Sequence, residues 1–409
     1  MSDSLETMQK VIYLAEHTRN TGYYPPHDMY PNFFTYPFAG RMGRIFKKYY
    51  PEWSVEVWRI DSSIDKFMES VIDDVKFKIY PAKGNRHIGI YSLAFIKDLV
   101  NLVPNTIINI QNIHTFFFYQ VLAIAPKSVY ITAQHHGDRS PYFGIKNYKG
   151  LKRVKAYIFL ILEKLVINNI SHFFLIDIEQ IPYIKKSLKE IDGKYSITPI
   201  GIDFSNIKQL PRNEACKLLN IDPQKKYMFY LGKYYDLKQV DQLCHIYEQI
   251  KTINPDIKLL VAGGSPKDKF YSNIKACGAI DFGPVLNSEV YKLYSAADVY
   301  VSMAFREDNF GGVGLAMIEA MACNKPVVCK SLKNMPPKLR AKVGRMPMNE
   351  NEMVENIFYV LEHKDQYKNG RKIVESLYDY SAIQEKTSRI YNQLLNFPPG
   401  KCKIKEEDY

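Results

Sequence analysis

Apolar and polar positions along the chain follow two periods in turn. Short β-branched and aromatic runs read as strands: "VIYLAEH" from Val11, "WSVEVWRI" from Trp53, "VKFKIY" from Val75, "TIINIQNI" from Thr106, "SVYITAQ" from Ser128 and "HFFLID" from His172. Between them lie segments of helical period such as "YSLAFIKDLVNLV" and "FFFYQVLAIA". This alternation predicts a parallel sheet with helices on its faces. After "ITPIGIDF" it starts again, with "YMFYLGK", "KLLVAGG", "AIDFG", "DVYVSMA" and "PVVCK" as strands and "VDQLCHIYEQI" among the helices. The prediction is an α/β chain of two successive doubly wound domains, residues 1–200 and 204–380, joined through Pro199 to Asp203. Ile383, Ile390, Tyr391 and Leu394 mark a last amphipathic helix, about 381–398, that caps the second domain or crosses back to the first; 399–409 reads as a flexible tail. Ligands of such sheets bind outside the carboxyl ends of the strands, and the cleft between two facing domains is the default site.

A chain of 409 residues is long enough for two cores. Its 46% hydrophobic and 24% charged content are those of a globular protein, with many aromatics, 31 Tyr and 22 Phe. The net charge of +12 is spread over both halves. It suits a nucleic acid, an anionic membrane surface or a phosphorylated small molecule, or serves solubility alone. All six cysteines, Cys216, Cys244, Cys277, Cys323, Cys329 and Cys402, fall in the second half without the CxxC pairing of a zinc site. That pattern predicts a reduced, cytoplasmic setting. "MSDSLETMQK" lacks the apolar run of a secretory signal, and the apolar segments "TFFFYQVLAIAP" and "AYIFLILEKLVI" are shorter than the roughly 20 residues of a spanning helix.

Chemistry concentrates in "FREDNFGGVGLAMIEAMACNKPVV". Gly311, Gly312 and Gly314, with Val313 and Leu315 among them, let the backbone approach a ligand at a helix start, where unpaired amides and the positive dipole end favour a phosphate. A glycine-rich turn into a packed helix is the other reading. Glu319 lies five residues past Gly314, roughly 7–8 Å along the helix, about the span from a diphosphate to the hydroxyls of its ribose. A carboxylate there accepts hydroxyl hydrogen bonds, which accounts for an acid among Leu315, Ala316, Ile318 and Ala320. Upstream, a strand ends at Gly232 and is followed by Lys233 and Lys238, which could neutralise a diphosphate leaving group or stand as two solvated lysines.

Taken in order and spacing, "YLGK" through "KQVDQL", "LLVAGG" with Gly264, "IDFGPV" and "GLAMIEAMACNKPVV" resemble the donor domain of retaining GT-B glycosyltransferases, the large family 4 type, also called glycosyl transferases group 1. The resemblance covers most of residues 195–395 and is weaker in the first half. It implies the GT-B fold, two Rossmann-like domains facing a central cleft that closes in use. It further implies transfer of a hexosyl unit from a UDP- or GDP-sugar to a hydroxyl of a glycan or lipid-linked acceptor, with retention, without a metal or other cofactor, in surface polysaccharide or glycoconjugate synthesis. By the same likeness Lys238 and Lys233 hold the donor phosphates, with Lys233 standing where the family usually has Arg, so charge is kept and the bidentate fork lost. Glu319 takes the ribose, and the backbone from Phe282 to Val285 meets the base. The family's sugar-contacting acid, eight positions before this Glu, is here Gly311. Glu307 or Asp308 in "EDNFGGVG" takes that role through a longer loop, with Glu307 the first choice, or the contact is made differently.

In the first half "ITAQHHGD" matches the family's histidine near the transferred sugar, with His136 the first choice and His135 beside it. Asp138 and Arg139 follow on the acceptor side. The long aromatic stretch "TRNTGYYPPHDMYPNFFTYPFAG" suits stacking on sugar rings, contact with a lipid acceptor, or a self-packed loop. "GRMGRIFKKYY" and "KNYKGLKRVKAYIFLILEK" mix Lys and Arg with apolar faces and fit either docking on the inner face of an anionic membrane or solvated helix faces over a core. Two rival readings remain: a sugar-nucleotide epimerase on the same fold, and a nucleotide-binding protein without catalysis. A nucleic-acid role lacks a reading motif.

Overall fold

The computed structural model describes residues 9–17, 32–35, 38–85, 89–303, 305, 311–401 and 403–404. The described residues divide into two compact units. One takes those up to Leu175, Glu179–Thr198 and those from Gln384 on; the other takes Ile176–Ile178 and Pro199–Ile383.

In the first unit eight strands form one sheet: β1 (Lys10–His17), β2 (Ser54–Asp61), β3 (Met68–Ile72), β4 (Val75–Pro81), β7 (Thr106–Gln111), β8 (Tyr130–Gln134), β9 (His172–Leu175) and β10 (Tyr195–Ile197). A separate hairpin pairs β5 (Lys83–Asn85) with β6 (Gly89–Tyr91). The sheet order is β10-β9-β8-β7-β1-β2-β4-β3. β1 runs parallel to both neighbours, Val11 opposite Val55 on one side and Ile107 on the other. Covered on both faces, it is apolar without alternation: Val11, Ile12, Tyr13, Leu14 and Ala15 are all buried. β3, an edge strand, is antiparallel to β4 across a turn in which Asp73 and Asp74 both take positive φ, the geometry that matches strand twist. Helix Phe38–Tyr49 lays Ala39, Met42 and Phe46 on this sheet, and Ile390, Tyr391 and Leu394 of helix Tyr380–Leu395 join the same core.

Among the described residues the second unit has six strands: β11 (Lys226–Leu231), β12 (Ile257–Ala262), β13 (Ile280–Asp281), β14 (Val299–Val301), β15 (Val327–Val328) and β16 (Gly344–Arg345). All pair in parallel in the order β13-β12-β11-β14-β15-β16. One core lies on each face, one built around Phe229, Tyr294 and Ile318, the other around Met228, Leu243 and Ile357. Pro199–Asp203 does more than connect: Ile202 N donates to Tyr378 O at 2.9 Å and Tyr380 N donates to Ile202 O at 3.0 Å.

Candidate functional site

Every donor-side residue named from the sequence, where described, lies past the carboxyl end of a second-unit strand or on the helix after β14. Backbone bonds lace these strand ends: Gly232 N donates to Ala262 O (2.9 Å), and Gly263 N to Gly283 O (2.8 Å). Lys233 and Lys238 are exposed, Lys238 closing the single turn Asp236–Lys238 before helix Val240–Ile253. Tyr230 Oη donates to Lys233 O at 3.1 Å, holding the turn on the strand end. The Lys238 charge reaches Cys329, just past β15. Burial pushes that thiol up, while hydrogen bonds from Ser331 and Ser302 and the lysine charge pull the other way. Phe282 and Val285, past β13, are half-buried against the core.

The glycines divide by cause. Gly312 has φ +59°, and a Cβ there would stand 2.0 Å from Ile176 O, so its reason is packing. Its N–H donates to Asp177 Oδ2 at 3.3 Å, and Lys333 Nζ pairs with Asp177 Oδ1 at 3.6 Å. Gly264 likewise faces the Tyr234 ring, 2.1 Å from where its Cβ would be. Gly314 is different: among the described residues nothing lies within 4 Å of its would-be Cβ. It heads helix Leu315–Ala322 with no side-chain cap, and the first intrahelical bonds run from Met317 and Ile318 N to its carbonyl. The first-turn amides of Leu315 and Ala316 precede those bonds.

Glu319, half-buried on that helix, accepts a 2.9 Å hydrogen bond from Tyr294 Oη. Burial, and then the Glu319 charge, push the Tyr294 phenol well up, so it stays a donor. Tyr294 fixes the orientation of this carboxylate. Glu307 and Asp308 lie outside the described residues; Gly311, in the position of the expected acid, is exposed.

In the first unit His135 is fully buried and its Nε2 sits 3.2 Å from Asp138 O; burial lowers its pKa to about 3. His136 is half-buried, its Nε2 2.8 Å from Gln111 Oε1 and its ring 4.8 Å from that of Phe38; burial lowers it to about 4. Asp138 holds the loop, its Oδ2 accepting from Ile113 N at 3.0 Å, and burial raises its pKa. Arg139 is exposed, over the Phe143 ring at 5.5 Å. The aromatic stretch between residues 18 and 31 lies outside the described residues.

Sequence reasoning passed over a second cluster at the carboxyl ends of β1 and β2. His17 Nδ1 lies 3.1 Å from Asp61 Oδ1, and Arg59 Nε 3.1 Å from Asp61 Oδ2. Burial works to raise Asp61, but hydrogen bonds from His17 and Ser63 and the Arg59 charge bring it down to about 2. Burial raises the neighbouring Glu16 to about 7 against a hydrogen bond from Thr115, with Asp138 adding to the rise and Lys155 opposing it. This group can take or release a proton near neutral pH. The signal was the polar pair "EH" closing an otherwise apolar strand.

Residues 212–369 match the family model for glycosyl transferases group 1, a span inside the second unit. A trehalose synthase of Thermococcus litoralis is 27% identical over 234 residues, 52% of this chain and 55% of that protein, so the chain spans about half the length of the curated relatives it matches. Two solved structures share the fold across nearly the whole chain. Sucrose-phosphate synthase from Thermosynechococcus elongatus superposes with a TM-score of 0.62 at 16% identity, covering 95% of this chain and 99% of that one. The structure described as "Trehalose-6-phosphate from E. coli bound with UDP-2-fluoro glucose" gives 0.66 at 11% identity, covering 93% and 99%. The fold is the α/β GT-B fold.

Proposed function

We propose that this chain, whose residues 212–369 match the family model for glycosyl transferases group 1, transfers a hexosyl unit from a nucleoside diphosphate sugar to a hydroxyl acceptor with retention at the anomeric carbon. The observation that carries the reading is the helix Leu315–Ala322: an amino end without a side-chain cap, where no described residue lies within 4 Å of the would-be Gly314 Cβ, and Glu319 five residues on, oriented by Tyr294. The first-turn amides take the diphosphate and Glu319 the ribose. As the glycosidic bond breaks, negative charge gathers on the leaving diphosphate, and Lys238 and Lys233 meet it from the neighbouring strand end, in place of a resident metal. Phe282 and Val285 flank the base. Glu307, with Asp308 as its alternate, contacts the sugar ring as positive charge develops there.

On the first unit we assign the sugar contact to His136, neutral at physiological pH and so able both to donate and to accept a hydrogen bond. His135, Asp138 and Arg139 shape the acceptor side, and among them His135 and Asp138 act by holding the loop. The proposed acceptor is a glycan or lipid-linked hydroxyl in surface polysaccharide or glycoconjugate synthesis. The proposed setting is the cytoplasm: the five described cysteines are buried free thiols, as a reducing compartment keeps them.

The test is incubation with UDP- and GDP-hexoses, with and without sugar and lipid-linked hydroxyl acceptors, following nucleoside diphosphate release and the anomeric configuration by NMR. Acceptor-dependent release with retention is expected. Conversion of the donor alone into a different sugar nucleotide would make the chain an epimerase, and nucleotide binding without turnover across the acceptor panel would make it a binding protein.

A further inference from the structure

Helix Gly150–Val166 turns an apolar side outward. Its inner side is anchored: Ala156 and Glu163 are buried, and Glu163 accepts from Tyr119 Oη (2.8 Å) and Ser187 Oγ (2.6 Å) and meets His114 Nδ1 at 2.6 Å. Opposite that side, at about 100° per residue, Leu151, Val154, Ile158, Ile161 and Leu165 fall in an arc of roughly 80°. Their exposures are 87, 53, 52, 61 and 73%. A helix resting on a core carries polar residues there. The stripe runs roughly 20 Å along the axis. Arg153 and Lys164 border it on one side and Lys155 on the other, all exposed, while the helix's single acid, Glu163, points inward.

Helix Phe38–Tyr49 serves as an internal comparison. It too combines Lys and Arg with apolar residues, yet it buries Ala39, Met42 and Phe46 against the sheet, the ordinary solution. Helix Gly150–Val166 presents an apolar band fringed by cations and without an exposed acid, which is complementary to a negatively charged lipid surface. Among the described residues no helix is long and apolar enough to cross a membrane.

We propose that helix Gly150–Val166 lies in the interface of an anionic bilayer, with Leu151, Val154, Ile158, Ile161 and Leu165 at the acyl boundary and the flanking Lys and Arg on lipid phosphates. The inference rests on this helix and not on the donor-site reading, so either survives failure of the other. The experiment sediments the full chain with phosphatidylglycerol vesicles and, separately, with phosphatidylcholine vesicles. Binding to the anionic vesicles that weakens with salt is expected. Ile161→Glu with Leu165→Glu should reduce it at least about tenfold, and Arg153→Gln with Lys164→Gln about fivefold for each cation removed. Because these side chains are exposed, circular dichroism and melting temperature should stay as in the parent chain, which separates lost docking from lost folding. Absence of binding to phosphatidylglycerol, or binding untouched by the Ile161/Leu165 change, overturns the proposal. So does a lipid-free dimer that the same change dissolves, which would make a second copy the occupant.

Discussion

Substituting alanine at Gly312 and at Gly314, two positions apart, separates a glycine that packs from one that leaves room for a ligand. At Gly312 the new Cβ meets a backbone oxygen 2.0 Å away, which no rotamer relieves, and the residue sits at φ +59°. The left-handed conformation costs about 1–2 kcal/mol and the overpacking about 1–3 more. For a unit of about 150–250 residues each kcal/mol is worth roughly 2–4 °C, so Gly312→Ala should lower the melting temperature of the second unit by on the order of 10 °C. At Gly314 φ is −69° and no described residue lies within 4 Å of the would-be Cβ. The stability cost there is a weaker helix start, at most about 1 kcal/mol. The same methyl stands where a phosphate would approach the first-turn amides, so affinity for a nucleoside diphosphate should fall about tenfold. Scanning calorimetry and isothermal titration read the two effects. The reasoning is refuted if Gly314→Ala destabilises as much as Gly312→Ala, or if it binds nucleoside diphosphate as the parent chain does.

Other expectations concern charge. Lys238→Ala removes an exposed cation, so thermal stability should hold within about 0.5 kcal/mol while turnover of the sugar nucleotide drops by at least about 10²-fold; near-parent turnover in a steady-state assay would withdraw the phosphate role. Burial raises Glu16 from 4.5 to about 7, so the folded state binds its proton more tightly than the unfolded chain, and stability from this group is lost as pH rises from 4.5 through 7. Glu16→Gln should therefore raise the melting temperature more at pH 8 than at pH 4.5, and an equal shift at both would contradict the assignment. His136 carries the opposite sign: lowered from 6.5 to about 4, it favours the folded state above pH 6.5, and that contribution fades as pH falls toward 4. A His136→Gln chain should show a flatter acid limb of thermal stability over that window, and an unchanged limb would count against it.

The strands were legible because a parallel strand covered on both faces must be apolar throughout, as "VIYLA" and "YMFY" are. β3 was not, since an edge strand with one exposed face carries the mixed sequence "MESVI". The helix of Glu319 and its glycine turn could be read from spacing, but the reasons for individual residues are long-range. Tyr294, the hydroxyl that orients Glu319, is 25 residues upstream, and Asp177, which holds the Gly312 amide, is 135 away. Spacing therefore gave no sign that Gly312 and Gly264 each also fit against a backbone oxygen or a ring of the protein itself. The same limit explains the two basic amphipathic helices: period reveals an apolar face, and only the packing shows that Phe46 turns in while Ile161 turns out.

The central claim is that helix Leu315–Ala322 receives a nucleoside diphosphate, with Glu319 on its ribose. Titration calorimetry of UDP and GDP, and of inorganic pyrophosphate, into the parent chain and into Glu319→Gln tests it most directly. The account predicts that one nucleoside diphosphate binds the parent chain, that Glu319→Gln weakens it about tenfold or more, and that pyrophosphate binds both chains alike. Equal nucleoside diphosphate affinity in the two chains, or no binding of either nucleotide to the parent, would contradict it.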